Sequence, residues 1–352
     1  MQREVCHVPG VVAEKGTEMA VTQQTRGTPV VSVVIVCMNQ PERLFACLDS
    51  LFARNGRVPF EVWVVAYRFT PENLDSLRGN YPSVNIVESN EVRGFSENNN
   101  LALRRARGEF CLCINDDTRM DMPVVDLLVE SFEKQPDAAI FMPKILNWDG
   151  TVQFCGGVEL TIGYWLAKAF HLIRREDICS PWVNQPGIFR TRNILGAAFM
   201  IRTAVLRELG YLDERYFFTP EDTALSTLAN ERGYACYVNA DVEIFHKGST
   251  TLKAHYLPVM LAMQRGNQLF FAQRGRLQGA VITLMWAVRD ALTFAYWCFR
   301  RGESARLHRM IWLALLKTVF SRATPKELFI RHSLPAALPV PAGEATGKET
   351  NA

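Results

Sequence analysis

The sequence predicts an α/β fold with a parallel sheet, followed by a helical extension. Four apolar, β-branched runs alternate with segments of helical spacing between residues 30 and 114, as a series of βαβ units requires. Hydrophobic residues make up 48% of the 352-residue chain, which is enough to bury one large core. From residue 257 onward the apolar spacing is that of long helices.

The predicted elements follow one another in order along the chain. Strands are expected at residues 30–36, 60–65, 84–88 and 109–114, and helices at residues 41–52, 72–77, 96–106 and 223–232. Pro41 suits the first turn of its helix, because a proline has no backbone N–H to leave unsatisfied there. Right-handed crossovers would make the sheet parallel, and ligands of such sheets collect at the carboxyl ends of the strands.

The chain divides into four predicted regions. Residues 1–28 are expected to form a flexible leader, without the continuous apolar core of a secretory signal. Residues 29–255 form the α/β domain, in which residues 140–201 are expected to be irregular with a strand or two. Residues 256–333 form the helical extension, and the Pro-, Ala- and Gly-rich residues 334–352 form a disordered tail.

The helical extension contains an apolar stretch, residues 277–299, of about the length of a membrane span. Arg289 and Asp290 interrupt it, and because a central charge pair is costly in lipid, an interfacial or a core helix is expected. The arginines that follow are Arg300, Arg301, Arg306 and Arg309. Two interpretations remain open: peripheral contact of these helices with an anionic membrane face, or a helical hairpin packed on the α/β domain.

Charge and cysteine content limit the classes of partner and compartment. The formal net charge is +3 and the basic residues are dispersed through most of the chain, which argues against nucleic acid as a partner. Two of the nine cysteines, Cys111 and Cys113, lie in an apolar run, as free thiols do in a reducing compartment. A cytoplasmic location is therefore expected, at the inner face of the plasma membrane if the helices contact lipid.

An acidic run, Asn115-Asp116-Asp117, comes directly after the fourth predicted strand. Its carboxylates would emerge at the carboxyl end of the sheet, where Mg²⁺ or Mn²⁺ could be held by one or two carboxylates, substrate phosphate oxygens and water. The alternative is a turn or a helix N-cap, because Asp and Asn are common in both. The run alone does not decide between a metal site and a turn.

Two later features could complete such a site. Glu221 and Asp222 follow an aromatic run, and an apolar setting raises the pKa of a carboxyl group, as a general base for a hydroxyl proton requires. Acids at a helix N-terminus are also common because they complement the helix dipole. His246 ends a later apolar run and could supply an imidazole to the same cation, although a lone histidine at a strand end is more often structural.

A series of short motifs lies between about residue 30 and residue 255. They comprise residues 33–36, Gly94-Phe95, Asn98-Asn99-Asn100, residues 106–110, residues 114–118, residues 196–200, residues 210–214, Phe217-Phe218, Glu221-Asp222, Gly233-Tyr234 and His246. Together they resemble glycosyltransferase family 2, and most closely its rhamnosyltransferase-like bacterial branch. The resemblance implies a GT-A fold with a Rossmann-like mixed sheet. It also implies an inverting transferase with a nucleotide-sugar donor and a glycan or lipid-linked acceptor, in cell-envelope or exopolysaccharide synthesis.

On this resemblance each candidate residue receives a role. Asp117 and His246 would bind Mg²⁺ or Mn²⁺, and the metal ion would neutralise charge on the leaving diphosphate. Asp222 would be the general base, and Glu221 would orient the acceptor or the base. The donor would contact Asp116, Asn115, Asn99 and Gly94, and the small residues 196–198 would leave room for a sugar.

The chain departs from the family pattern at the end of its second strand. Family members usually carry an aspartate there that contacts the nucleotide, whereas this chain has Ala66. Either Tyr67 and Arg68 hold the nucleotide by stacking and charge, or the donor site is altered or lost. Ala224 and Leu228 also stand where an aspartate and an arginine are common in the family. The open alternatives are an active transferase, a degenerate non-catalytic binding or scaffolding protein, and a nucleotidyltransferase.

Overall fold

The computed structural model describes residues 28–169, 184–248 and 255–333. The predicted tail, residues 334–352, and all but the last residue of the predicted leader, residues 1–28, lie outside the described residues. In the described part, ten strands form one sheet, and helices pack on it and extend beyond it.

The first part of the sheet is parallel, as predicted. β1 (Val31–Met38) lies between β2 (Phe60–Tyr67) and β4 (Phe110–Asn115), and β3 (Asn85–Ser89) pairs with the outer side of β2. Almost every side chain of β1 and β4 is buried, which explains their continuous apolar sequences. Three helices connect these strands: α1 (Pro41–Arg54), α2 (Pro71–Asn80) and α3 (Phe95–Leu103).

The second part of the sheet is mixed. Its strands are β5 (Thr118–Arg119), β6 (Ala138–Leu146), β7 (Val152–Phe154), β8 (Ile188–Thr191), β9 (Ala198–Arg202) and β10 (Ala235–His246). β9 runs antiparallel between β4 and β6, while β6 and β10 pair in parallel. The strand order is β3-β2-β1-β4-β9-β6-β10-β5, with β7 beside β6 and β8 beside β10. The helices of this part are α4 (Val124–Lys134), α5 (Ile162–Ala169), α6 (Thr203–Glu208) and α7 (Glu221–Glu231).

This architecture confirms the predicted α/β fold with a mixed sheet, followed by a helical extension. β9 runs antiparallel between two parallel sets, so the sheet is mixed, as the resemblance implied, and the parallel pairing predicted from the βαβ series holds for β1 to β4. The expectation of only a strand or two in residues 140–201 was wrong, since four strands, β6 to β9, lie in the described part of that region. β7 has three residues and β8 has four, too few for a periodic pattern to be visible in sequence.

The helical extension consists of α8 (Tyr256–Arg274), α9 (Arg276–Cys298), α10 (Glu303–Thr318) and α11 (Pro325–His332). α8 packs against α9 and α11, and α9 packs against α10. Asp290 is fully buried, and its carboxylate accepts hydrogen bonds from Gln264 and Arg289. Asp290 therefore points into the bundle, and the partly exposed Arg289 is paired with it. None of the described helices combines the length and the apolar character that crossing a bilayer requires.

Glycine permits a close contact between the extension and the sheet domain. A Cβ at Gly266, in α8, would overlap the carbonyl oxygen of Thr219 and touch the ring of Pro220. These two residues directly precede α7 and its first residues, Glu221 and Asp222. The extension therefore packs directly on the segment that carries the candidate base.

Candidate active site

The antiparallel pairing of β5 with the end of β10 brings His246 to the acidic run. His246 lies opposite Thr118 in this pairing. Beyond it, the N–H of Lys247 donates to the carbonyl oxygen of Asp117 at 3.1 Å, and the N–H of Gly248 donates to Asp117 Oδ2 at 3.2 Å. Hydrogen bonds from two backbone N–H groups thus hold together two segments that lie far apart in the sequence.

Asp117 and His246 form a close, largely buried pair. His246 Nε2 lies 3.3 Å from Asp117 Oδ1, and the two residues are 9% and 8% exposed. Burial alone would raise the pKa of Asp117, but the hydrogen bond and charge of His246, assisted by Arg43 and the N–H of Gly248, lower it below its ordinary value. Asp117 is therefore ionised at neutral pH, as a metal ligand must be.

Gln153, on β7, fixes the orientation of the His246 ring. Gln153 Nε2 donates to Asn147 Oδ1 at 2.9 Å and to the carbonyl oxygen of His246 at 3.3 Å, which assigns its amide orientation. Gln153 Oε1 then accepts the Nδ1–H of His246 at 2.6 Å. Nδ1 therefore carries a proton. Nε2 faces Asp117, and it either carries a proton that it donates to Asp117 or offers its lone pair to a cation. Asn115 Nδ2 lies 3.1 Å from the same nitrogen.

This donor set fits a hard divalent cation. A carboxylate oxygen and an imidazole nitrogen that face each other suit neighbouring positions around one ion, and a hydrogen bond to the second ring nitrogen is the usual support of a histidine ligand. The described residues contain no cluster of three or more His, Cys, Asp or Glu side chains able to hold a metal ion. Asp117 and His246 would therefore supply two ligands, and substrate phosphate and water the others.

Asp116 is held by an arginine that the sequence analysis did not identify. Arg43, in α1, donates from Nη2 to Asp116 Oδ2 at 2.9 Å. Burial raises the pKa of Asp116 above its ordinary value, although the charge of Arg43 opposes this shift. The predicted contact of Asp116 with the donor stays a prediction, and Arg43 joins it as a cationic group at the same edge of the sheet.

Asp222 is connected to the acidic run through the segment that leads into β9. The N–H of Asn115 donates to the carbonyl oxygen of Ala197 at 3.0 Å, and the N–H of the preceding residue, Gly196, donates to Asp222 Oδ2 at 2.9 Å. Burial raises the pKa of Asp222, while the N–H groups of Gly196 and Thr223 lower it in part. The structure thus places the candidate base and the acidic run on two sides of one short backbone segment.

Glu221 is more deeply buried than its neighbour. It is 5% exposed, and its Oε2 has no hydrogen-bond partner among the described residues. Burial, together with the charge of Asp222, raises the pKa of Glu221 well above its ordinary value. The neutral form of Glu221 is thus favoured more strongly than in an exposed glutamate, whereas Asp222 has backbone N–H donors that stabilise its ionised form.

The structure gives Gly94 and the asparagine run packing roles. A Cβ at Gly94 would lie 2.5 Å from the carbonyl oxygen of Phe217, so only glycine permits this backbone contact. Asn99 is 2% exposed and donates to the carbonyl oxygen of Phe95 at 2.9 Å, within its own helix. Asn100 bonds both backbone groups of Leu212 and so ties α3 to the loop before α7. Donor contacts of Gly94 and Asn99 stay predictions.

The residues that replace the family's nucleotide-contacting aspartate are buried. Ala66 is 1% exposed, Tyr67 is 7% exposed and Arg68 is 8% exposed. The hydroxyl of Tyr67 accepts the N–H of Arg93 at 3.3 Å, and Arg68 adopts a left-handed backbone conformation with φ of 54°. The predicted stacking of Tyr67 and Arg68 on a nucleotide stays a prediction.

A groove of about 730 Å³ lies elsewhere, between α7, α8 and the loop before α7, and Leu228 is among its lining residues. Its lining includes neither the acidic run nor Asp222 nor His246. Much of its charge is internally paired, through Arg104 with Glu214, Arg215 with Asp213, and Arg274 with Glu231. The chemistry therefore places the candidate active site at the sheet edge and not in this groove.

Comparison with known proteins bears on the family of the chain. Residues 32–173 match the family model described as Glycosyl transferase family 2. The O-antigen biosynthesis protein RfbC of Myxococcus xanthus is 27% identical over 236 residues, which are 66% of this chain and 18% of that protein. The N-acetylglucosaminyl-diphospho-decaprenol L-rhamnosyltransferase of Mycobacterium tuberculosis is 21% identical over 303 residues, which are 80% of this chain and 96% of that protein.

Among solved structures, the mannosyltransferase PcManGT of Pyrobaculum calidifontis, in complex with GDP-Man and Mn²⁺, is 16% identical with a TM-score of 0.49. That similarity covers 87% of this chain and 86% of the other. The chain spans less than a fifth of the length of the Myxococcus relative and nearly the whole of the mycobacterial one. The family model, over residues 32–173, and the rhamnosyltransferase relative confirm the resemblance derived from the motifs.

Proposed function

We propose that this chain is an inverting glycosyltransferase that moves a sugar from a nucleotide-sugar donor to a hydroxyl of a glycan or lipid-linked saccharide in envelope polysaccharide synthesis. The observation that carries the proposal is the arrangement of Asp117 with His246 on one side of residues 196–197 and Asp222 on the other. A metal ligand pair and a base of raised pKa at one sheet edge are the groups that this transfer needs.

On the donor side, Asp117 and His246 would hold Mg²⁺ or Mn²⁺, which when bound would neutralise charge on the leaving diphosphate. Gln153 keeps His246 Nε2 directed at the cation position, because its Oε1 accepts the Nδ1–H. Arg43 sits within reach of Asp116 and adds a positive charge at this edge. These residues bind and orient the donor.

On the acceptor side, Asp222 would take the proton of the attacking hydroxyl. Its raised pKa makes it a stronger base than an exposed aspartate, and the N–H groups of Gly196 and Thr223 fix its oxygens. Glycine at position 196 places no side chain against the carboxylate, where a Cβ would lie 3.5 Å from Asp222 Oδ2. Attack from the side opposite the leaving diphosphate would invert the anomeric carbon.

The relatives support the substrate class. The mycobacterial relative is named for a diphospho-decaprenol acceptor and an L-rhamnosyl donor group, and the Myxococcus relative for O-antigen biosynthesis. A lipid-linked saccharide is therefore the proposed acceptor. The place of action would be the cytoplasm, at the inner membrane face: in the described part of the chain six of seven cysteines are buried and all seven are free, as in a reducing compartment.

One observation favours a second candidate, a non-catalytic binding or scaffolding protein. The end of β2 offers the nucleotide no carboxylate at Ala66, and Tyr67 beside it is buried. A screen of nucleotide sugars, with release of nucleoside diphosphate as the readout, separates the two. Release that requires metal ion and is lost in Asp222→Asn supports the transferase. Nucleotide binding without release for any donor, in the presence of acceptor extract, supports the non-catalytic protein.

A further inference from the structure

The outward face of α9 is apolar along its whole length. The exposed large side chains of this face are 50% to 88% exposed, and they are Leu277, Leu284, Val288, Leu292, Tyr296 and, just beyond the helix, Phe299. Their spacing places them on one side of a helix about 35 Å long. We call this set the α9 outer face. A surface helix usually has charged or polar residues on its solvent-facing side, whereas the solvent-facing side of α9 is apolar.

The opposite side of α9 is fully engaged. Asp290 bonds Gln264 of α8 at 2.9 Å, and the ring of Trp297 stacks on His308 of α10 with centroids 4.1 Å apart. Gly279 allows the backbone of Ala272 to approach closely. Asp290 therefore makes its contacts inside the bundle, where it also accepts from Arg289. The six side chains of the α9 outer face include no charged residue. An exposed apolar surface of this extent is typical of an interaction site.

Basic residues lie at both ends of this apolar surface. Residues 276–322 contain eight basic and two acidic residues, a net charge of +6, whereas the whole chain carries only +3. In the described part of the chain, six exposed basic residues of this segment form no ion pair with a carboxylate: Arg276, Arg300, Arg301, Arg306, Lys317 and Arg322. Arg276 lies at one end of α9, and Arg300 and Arg301 lie just beyond the other.

We infer that the α9 outer face docks on an anionic lipid bilayer, with α9 lying in the plane of the interface. Leucine and phenylalanine side chains would enter the acyl boundary, and the flanking arginines would meet lipid phosphates. A second copy of the chain is a poorer occupant, because it would bring two segments of net charge +6 together. The depth is interfacial, since Asp290 is buried in the bundle and holds the partly exposed Arg289 by hydrogen bonds.

Docking would also set the orientation of the candidate active site. Gly266 of α8 packs on Thr219, and Phe329 of α11 contacts the rings of Phe217 and Phe218, with centroids 4.8 and 5.3 Å apart. Lys326 of α11 donates to the carboxylate of Glu97 at 2.8 Å. These contacts join the bundle to the segments beside Asp222. That a lipid-linked acceptor meets the site at the bilayer surface rests on the proposed function.

Vesicle flotation of the full chain tests the docking without donor or acceptor. We expect binding to vesicles of equal phosphatidylglycerol and phosphatidylcholine, and much weaker binding to phosphatidylcholine alone or at high salt, where the Debye length shrinks from about 10 Å to about 3 Å. The double variant Leu284→Gln, Leu292→Gln should weaken binding by roughly tenfold or more, because two leucines leave the acyl boundary. Glutamine keeps helix propensity, so folding is preserved.

Matched variants separate apolar and electrostatic contributions. Leu284→Met with Leu292→Met keeps the apolar surface and should bind as the wild type does. Arg300→Gln with Arg301→Gln should weaken binding to the anionic vesicles, whereas Arg54→Gln with Arg232→Gln, which removes the same charge from exposed sites elsewhere, should not. Binding of UDP, GDP and dTDP with Mn²⁺ should be equal in all these variants, so loss of docking is distinct from failure of the proposed function.

The inference is overturned if the wild type does not float with anionic vesicles, or if the glutamine double variant floats equally well. It is also overturned if light scattering shows a lipid-free dimer that the same variant converts to a monomer, because the α9 outer face would then be an interface between copies.

Discussion

Gln153 Oε1 lies 2.6 Å from His246 Nδ1, although 93 residues separate the two in sequence. The hydrogen bond fixes the imidazole ring so that Nε2, and not Nδ1, faces Asp117. The pairing therefore links a short edge strand to the candidate metal centre and makes Gln153 a positioning residue.

Gln153→Leu should weaken Mn²⁺ binding by about 10- to 100-fold, because the imidazole loses its orienting acceptor. Gln153→Glu keeps an acceptor oxygen and is expected to retain the wild-type affinity. Titration of Mn²⁺ in the presence of a nucleoside diphosphate, followed by thermal shift, measures both variants. Equal affinity in the leucine variant would show that Gln153 only stabilises the end of β10.

Asp222→Asn should abolish sugar transfer while donor affinity remains close to that of the wild type. The base must be ionised, so wild-type kcat/KM should fall as pH falls through the raised pKa of Asp222, at higher pH than for an exposed aspartate. Steady-state rates across pH, with donor binding measured separately, check both expectations. Loss of donor binding in the asparagine variant would assign Asp222 a structural role.

Glu221→Gln should change the pH dependence of stability. The pKa of Glu221 is raised in the folded state, so between its ordinary pKa and this raised value the folded protein holds a proton that the unfolded chain has lost. The stability of the wild type relative to the glutamine variant should therefore fall as pH rises through this window. Urea denaturation at several pH values measures the difference. The exposed Glu133→Gln in α4 is the control, and an identical slope for both variants would contradict the burial of an ionisable Glu221.

Gly266→Ala should lower both the stability and the transfer rate, although residue 266 lies outside the candidate active site. The added Cβ would overlap the carbonyl oxygen of Thr219, so α8 or the segment before Asp222 must shift, at a cost of about 1–3 kcal/mol. Gly163→Ala, in α5, adds the same methyl group with no atom nearer than 3.9 Å and should be tolerated. Denaturation midpoints and transfer rates should fall together in the first variant only. Unchanged values there would mean that the bundle is not joined to the site in this way.

The sequence predicted those features that leave a local pattern. β1, β2 and β4 are buried, so their β-branched runs were visible, and the helix bounds were correct within a few residues. The order of Asp117, Asp222 and His246 along the chain matched the family's motifs, and this match suggested their roles. By contrast, Arg43 and Gln153 reach their partners only through tertiary structure, 73 and 93 residues away. Neither residue lies in a motif, and each belongs to a residue type that is usually exposed.

The family resemblance implied a mixed sheet, but the local pattern did not show that β9 is the antiparallel strand, for a related reason. Its five apolar residues are compatible with either direction, and only the pairing with β4 and β6 decides between them. The outward apolar face of α9 also required the structure. The sequence contains the leucines, but it does not show whether they face the bundle or the solvent. The structure shows that they face the solvent, because Asp290, on the other side of α9, is buried and bonds Gln264.

The most direct test of the account is metal-dependent nucleotide binding by the wild type and by Asp117→Asn. Isothermal titration of UDP, GDP and dTDP, each with and without Mn²⁺, should show at least one nucleotide that binds the wild type tightly only when the ion is present. The asparagine variant should lose this dependence, because a neutral amide replaces the carboxylate ligand beside His246. Equal, metal-dependent binding in both proteins would contradict the assignment of Asp117 and His246 as the metal centre.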